Sequence, residues 1–289
     1  MFDFKGYKDA SSIEEAVKIL KDAPEAEVIA GGSDLLIELR DEPRADLLLV
    51  SLRKIEAVHQ ITMDEGGEIA IGSMVTFDRM EKDEFIMTHL PVLGEAGGTI
   101  GGPQLRRVAT LGGNVCNGAV SGDSATPLFC YNARLEIAGP EGYRTIPVSE
   151  FYLGPGKTDL KKGEILVRIL IAKKDYEGFG GNYIKFSRRK ALDIANLGAT
   201  ALCKVKDGRF SEVRIALGVA APVPIRCPGA ENFAEGLEVT DDNMKAIGQR
   251  AVDDARPRDS WRASKAFRQQ LIEVCTERAL KAGADLAGK

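Results

Sequence analysis

The chain has 289 residues, 44% of them hydrophobic and 28% charged, which is enough material for two or three cores rather than one. Its 39 basic and 43 acidic residues are mixed along the sequence, so no basic stripe for a nucleic-acid backbone emerges and nucleic acid is not expected as a partner. The N-terminal MFDFKGYKDASSIEE lacks a basic stretch followed by an apolar core. No run approaches the roughly 18 apolar residues of a spanning helix, so a cytoplasmic protein is expected.

After Ser11 and Ser12, the spacing of Ile13, Ala16, Val17 and Leu20 predicts a helix, with Glu14 and Glu15 beside its positive end. AEVIA then reads as a strand, Gly31-Gly32-Ser33-Asp34 as a turn and LLIELR as a helix. DLLLVSL, VHQIT and EIAIG read as short strands, and Thr76-Phe77-Asp78 opens another helical pattern. From Leu93 to Asn117 the glycines crowd together among Leu, Val and Ile, which predicts a packed glycine loop. ARLEIAG and YRTIPV are strand candidates, and FYLGPGKTDLKKGEILVRILI joins an exposed loop to a β-branched strand.

The turn residues of Gly178 to Gly181 mark a boundary, with the first half at 1–176, itself split near residue 56, and the second at 177–289. NYIKFSRRK, ANLGATALCKV and SEVRIALGVAA read as strands, and three helical patterns are expected after Thr240. The order of elements is that of an α+β protein. Five scattered cysteines, Cys116, Cys130, Cys203, Cys227 and Cys275, form no CxxC pair and are expected to be buried thiols rather than metal ligands.

Glycine pairs let backbone N–H groups approach a phosphate, because no side chain intervenes and positive φ is accessible. Gly31-Gly32-Ser33-Asp34 before a helix meets that need, although a plain strand-to-helix turn would look the same. A second loop, Thr110-Leu111-Gly112-Gly113-Asn114, leads to Ser121-Gly122-Asp123, and two such loops suit one dinucleotide. Asp123 is placed to accept from a ribose hydroxyl or to cap the following helix. Neither GxGxxG nor GxxxxGK[ST] is present, which disfavours the doubly wound and P-loop folds.

AGGSDLL and IGGPQLRRVATLGGNVCNG resemble the paired flavin-binding segments of the FAD subunits of molybdenum hydroxylases. VCNGAVSGDSATP, LGPGK, GEILV, GVAAPVPIRC and PRDSWRASKAFR extend the resemblance to the bacterial heterotrimeric xanthine dehydrogenase branch of that family, essentially end to end. The resemblance implies an FAD-binding domain of the vanillyl-alcohol oxidase (PCMH) type, followed by a C-terminal domain with a three-stranded antiparallel sheet and a three-helix bundle. It places Val28, Ile29, Ala30, Gly31, Gly32, Ser33, Asp34 and Leu35 along the FAD pyrophosphate, with Ala109, Thr110, Leu111, Gly112, Gly113 and Asn114 opposite. Asp123 falls on the ribose side, Ile100, Ile165 and Leu166 form apolar walls, and Lys185 contacts the flavin. Arg188, Arg189 and Asp193 fall on a mobile loop where an acceptor such as NAD approaches, or on a partner-facing surface.

By the same resemblance, a large molybdopterin subunit and a small subunit with [2Fe–2S] clusters carry the substrate chemistry, in a dimer of heterotrimers, and this chain has neither catalytic residue nor metal of its own. His59 and His89, the two histidines, lie outside the glycine segments, so noncovalent FAD is expected. The alternatives are a related molybdenum hydroxylase acting on another N-heterocycle or an aldehyde, a stand-alone FAD oxidase of the same fold, and a nucleotide-binding scaffold without turnover.

Overall fold

A computed structural model describes residues 3–287. The chain begins with a three-stranded parallel sheet in which Leu48–Ser51 lies between Gly6–Asp9 and Ala26–Ile29. Parallel neighbours need crossovers. Two helices, Ile13–Asp22 and Leu35–Asp41, provide them. Ile13–Asp22 forms as its sequence predicts: the Ser12 side chain accepts from the Glu15 amide, and Ala16, Val17 and Leu20 are buried.

Behind this sheet stands a five-stranded antiparallel sheet, in the order Ile61–Met63, Ile69–Gly72, Ile165–Ile171, Arg134–Gly139, Gly142–Pro147. Its central strand, ILVRILI, buries every residue except Arg168. Ile165 and Val167 join the core of the first sheet, whereas Leu166, Ile169 and Ile171 join the large core on the other side. The register slips between Leu166 and Arg168, a bulge that brings Ile169 and Ile171 onto the face of Leu166. This one strand therefore ties the two subdomains together.

Two local expectations change here. The Val58 and His59 of VHQIT end a 3-10 turn, Glu56–His59, before the short strand Ile61–Met63. The glycine-rich stretch is mainly helical, in Pro91–Gly98, Pro103–Arg106 and Leu111–Asn117. Proline at the first turn of two of these helices and Thr110 capping the third supply start signals that the glycine count concealed.

The remainder is a second antiparallel sheet, Gly180–Phe186, Leu197–Lys206, Arg209–Gly218 and a two-residue fourth strand, Ile225–Arg226. Asp207 and Gly208, both at positive φ, make the tight hairpin between the two long strands. Helices Pro228–Ala234, Asp241–Asp254 and Lys265–Leu286 cover one face. The expected three-stranded sheet thus gains a short strand. Only two helices follow Thr240, because the third precedes it.

The other face of this sheet meets the helix Ala125–Cys130. Arg226 donates to the Phe129 carbonyl at 3.1 Å and Arg214 to that of Cys130 at 3.0 Å, so two guanidinium groups satisfy the negative end of the helix. Cys130, Cys203, Cys227 and Cys275 are buried as expected, and Cys116 is half-buried. Among the described residues, no helix is long and apolar enough to cross a membrane.

Candidate functional site

A cleft of about 1020 Å³ opens between the two glycine loops, with Lys185 and the loop residues Leu192, Asp193 and Ile194 on a further wall. Its first wall is the segment Val28 to Leu35, all eight residues of which line it. Gly32 sits at φ 70°, where a β-branched side chain is strained, and Leu36 N–H donates to its carbonyl to close the turn. Among the described residues, the amides of Gly31, Gly32, Ser33, Asp34 and Leu35 find no acceptor. The helix that follows has Asp34 at its N-cap but no capping side-chain bond. Five consecutive donors at a helix start form a cradle for an anion.

The second loop is different. Gly112 N–H donates to the Ser73 carbonyl at 2.8 Å, Gly113 N–H to Thr110 Oγ1 at 3.0 Å, and Asn114 N–H to the Thr110 carbonyl at 3.0 Å. A Cβ on Gly112 would stand 2.5 Å from Ser73 Cβ, and one on Gly31 would overlap the Val108 carbonyl. Ala109, Thr110, Gly112, Gly113 and Asn114 line the cleft. Leu111 does not; its side chain is fully buried in the large core, because the helix turns that position inward.

Asp123 and Lys185 meet inside the cleft, 2.8 Å apart and both nearly buried. Tyr183 donates to the other Asp123 oxygen at 2.5 Å, and Lys185 also donates to the Thr99 carbonyl at 3.1 Å. Burial pushes the Asp123 carboxyl above its ordinary range, and Lys185 and Tyr183 oppose that rise. Asp123 does not cap the following helix: Ser124 occupies that N-cap. Sequence reasoning missed Tyr183, yet strand alternation puts Tyr183 and Lys185 on one face of Gly180–Phe186. Ile100, Ile165 and Leu166 line the cleft, and Ser73, Met74 and Ser121 join them.

The loop from Ser187 to Asn196 is organised by Asp193, whose carboxylate accepts from the amides of Arg188, Arg189 and Ile194 at 2.9, 2.9 and 3.0 Å. Leu192, at φ 53° and 64% exposed, donates its amide to the Gly101 carbonyl and so reaches across the cleft mouth. Leu192, Asp193 and Ile194 line the cleft. Arg188 and Arg189 stand outside its wall: Arg188 lies over Trp261 at 5.6 Å, and Arg189 folds back on Leu192 and Asp193.

Residues 2–173 match the family described as the FAD binding domain in molybdopterin dehydrogenase, and residues 182–282 the CO dehydrogenase flavoprotein C-terminal domain. The xanthine dehydrogenase FAD-binding subunit of Escherichia coli O157:H7 is 42% identical, over 100% of this chain and 99% of that protein. The chain belongs to the FAD-binding subunits of the molybdenum hydroxylases. Other members are more distant in sequence but not in shape. Carbon monoxide dehydrogenase from Hydrogenophaga pseudoflava superposes with a TM-score of 0.93 at 27% identity, and quinoline 2-oxidoreductase from Pseudomonas putida 86 with 0.93 at 26%, each over 100% of both chains. Such a subunit works within an oxidoreductase, and its FAD-binding domain is the one that contains most of the cleft.

Proposed function

We propose that this chain is the FAD-carrying electron-transfer subunit of a xanthine dehydrogenase-type complex, taking electrons from [2Fe–2S] clusters of a small partner subunit and passing them to NAD. A large molybdopterin subunit would hold the substrate, in a dimer of heterotrimers. The observation that carries the FAD site is the run of five amides from Gly31 to Leu35 that find no acceptor among the described residues, in a cleft of about 1020 Å³, at the large end for a bound ligand. Those amides suit a pyrophosphate, Gly113 and Ala109 line the opposite wall, and Ile100, Ile165 and Leu166 offer apolar surface for a ring. Lys185 supplies a fixed cation, and Asp123 keeps lone pairs for a ribose hydroxyl. Bound flavin supplies the exchange between one-electron and two-electron carriers. The chain's own residues hold it, exclude water and place positive charge in the cleft.

Neither histidine lines the cleft: His59 Nε2 lies 3.0 Å from the Arg53 carbonyl, and His89 packs against Phe85 and Tyr176. Noncovalent FAD follows, and acid precipitation should release the yellow flavin into the supernatant. Flavin retained on the denatured chain would count against it. The complex purified through this chain should oxidise xanthine, and the chain alone should not. Xanthine oxidation by the isolated chain would favour the stand-alone oxidase. A complex active only on another heterocycle or an aldehyde would retain the electron-transfer role and change the substrate.

A further inference from the structure

A second cavity, of about 340 Å³, adjoins the flavin cleft and shares Ser121 and Ile194 with it. Its far wall is the segment Arg258, Asp259, Ser260, Trp261 and Arg262. Trp261, the chain's one tryptophan, is 75% exposed, an unusual position for a large aromatic ring without a partner. Arg262 stacks on it at 4.2 Å, and Arg188 lies over it at 5.6 Å. Among the described residues, Arg188, Arg258 and Arg262 have no carboxylate within ion-pair distance, whereas the neighbouring Arg189 reaches Asp193 at 3.7 Å. The one acid in the wall, Asp259, is engaged by the Lys265 amide at 2.7 Å.

The wall is built rather than incidental. Arg268 is 3% exposed and donates to the Asn196 carbonyl at 3.3 Å, to Ser260 Oγ at 2.9 Å and to the Arg258 carbonyl. It thereby fixes the arginine segment against the end of the loop that crosses the flavin cleft. Three guanidinium groups without an ion-pair partner among the described residues, against one carboxylate in the wall and beside an exposed aromatic ring, are arranged for a ligand that is both anionic and planar.

We propose that this cavity binds the nucleoside diphosphate end of a dinucleotide acceptor, with Arg258 and Arg262 on the phosphates and Trp261 beside the base. Its purpose rests on the electron-exchange reading, but binding at the cavity does not. An acidic protein surface is the competing occupant. The shared wall at Ser121 and Ile194 favours the small ligand, because it places the cavity where the far end of a molecule reaching into the flavin cleft would lie.

The test uses the FAD-loaded chain and the emission of Trp261. ADP should change that emission saturably, and adenosine, which lacks phosphates, should bind at least about tenfold more weakly. Arg258→Gln combined with Arg262→Gln should weaken ADP by a similar factor and leave FAD content and circular dichroism unchanged. The double variant should also lose the advantage of NADH over reduced nicotinamide mononucleotide in reducing the flavin, without slowing the mononucleotide. No response to ADP, equal binding of adenosine, an unchanged double variant, or a response confined to an acidic peptide would each overturn the proposal. Saturable, arginine-dependent ADP binding without flavin reduction by NADH would support the cavity and remove NAD as the acceptor.

Discussion

The two glycine loops look alike in sequence and differ in what their backbones do. In the first, which lines the cleft, the five amides from Gly31 to Leu35 find no acceptor among the described residues; in the second, Gly112, Gly113 and Asn114 spend theirs on Ser73 and Thr110. Glycine in the first loop supplies donors and a positive φ, and glycine in the second permits one helix to lie against the Ser73 backbone. Composition marks both loops as close approaches. Only hydrogen-bond partners show which one is left to meet an anion.

That contrast places the free amide donors in the first loop rather than the second, while Lys161, Lys162 and Lys185 supply the cationic side chains of the cleft. Lys185→Met should show the largest effect, about 3–5 kcal/mol of stability near neutral pH, because it strands a buried carboxylate. The folded protein raises the Asp123 carboxyl above its unfolded value, so protonation of Asp123 favours the fold below the unfolded carboxylate range, and that stabilisation is lost as pH rises through the folded value. Removing Lys185 enlarges the rise, so the deficit of the variant should shrink as pH falls and the carboxyl takes up its proton. Urea unfolding across pH measures it, and a deficit independent of pH would show that Asp123 is not the stranded group.

Next comes Gly32→Val, expected to lower FAD affinity about hundredfold by misdirecting amides whose bonds to a charged group are worth about 1.5–3 kcal/mol each. Its cost in stability should be only about 1–2 kcal/mol, the strain of one side chain in left-handed backbone. Gly112→Ala should reverse the pattern. Overpacking against Ser73 costs about 1–3 kcal/mol of folding stability, and the FAD affinity of the folded fraction should stay near that of the parent. Equilibrium flavin titration together with urea unfolding separates the two variants, and equal flavin loss in both would erase the distinction between the loops.

The smallest contrast lies in two hydroxyls. Thr110→Val removes the cap of Leu111–Asn117 and should cost about 0.5–2 kcal/mol of stability. Ser33→Ala, whose hydroxyl caps no helix, should leave the unfolding midpoint unchanged and weaken FAD by about 0.5–1.5 kcal/mol. An unfolding midpoint lowered by Ser33→Ala would show that the first loop is also a structural cap.

The sequence by itself determined the elements whose signals are local. Ser12 and the apolar spacing behind it specify Ile13–Asp22, and the glycine pair after AEVIA marks the turn that carries the free amides. The same periodicity holds Tyr183 beside Lys185, since alternate residues of a strand share a face. Tertiary structure alone decided which partners those groups meet. Asp123 and Lys185 are 62 residues apart, and nothing local distinguishes a ribose acceptor from the buried partner of a lysine and a tyrosine. Leu111 reads as one more member of a binding loop until the helix turns it into the core. Arg188 belongs with Trp261 and the arginine segment rather than with the flavin cleft. In each case the deciding contact spans a large sequence separation, and its energy depends on packing and desolvation that no short window of residues contains.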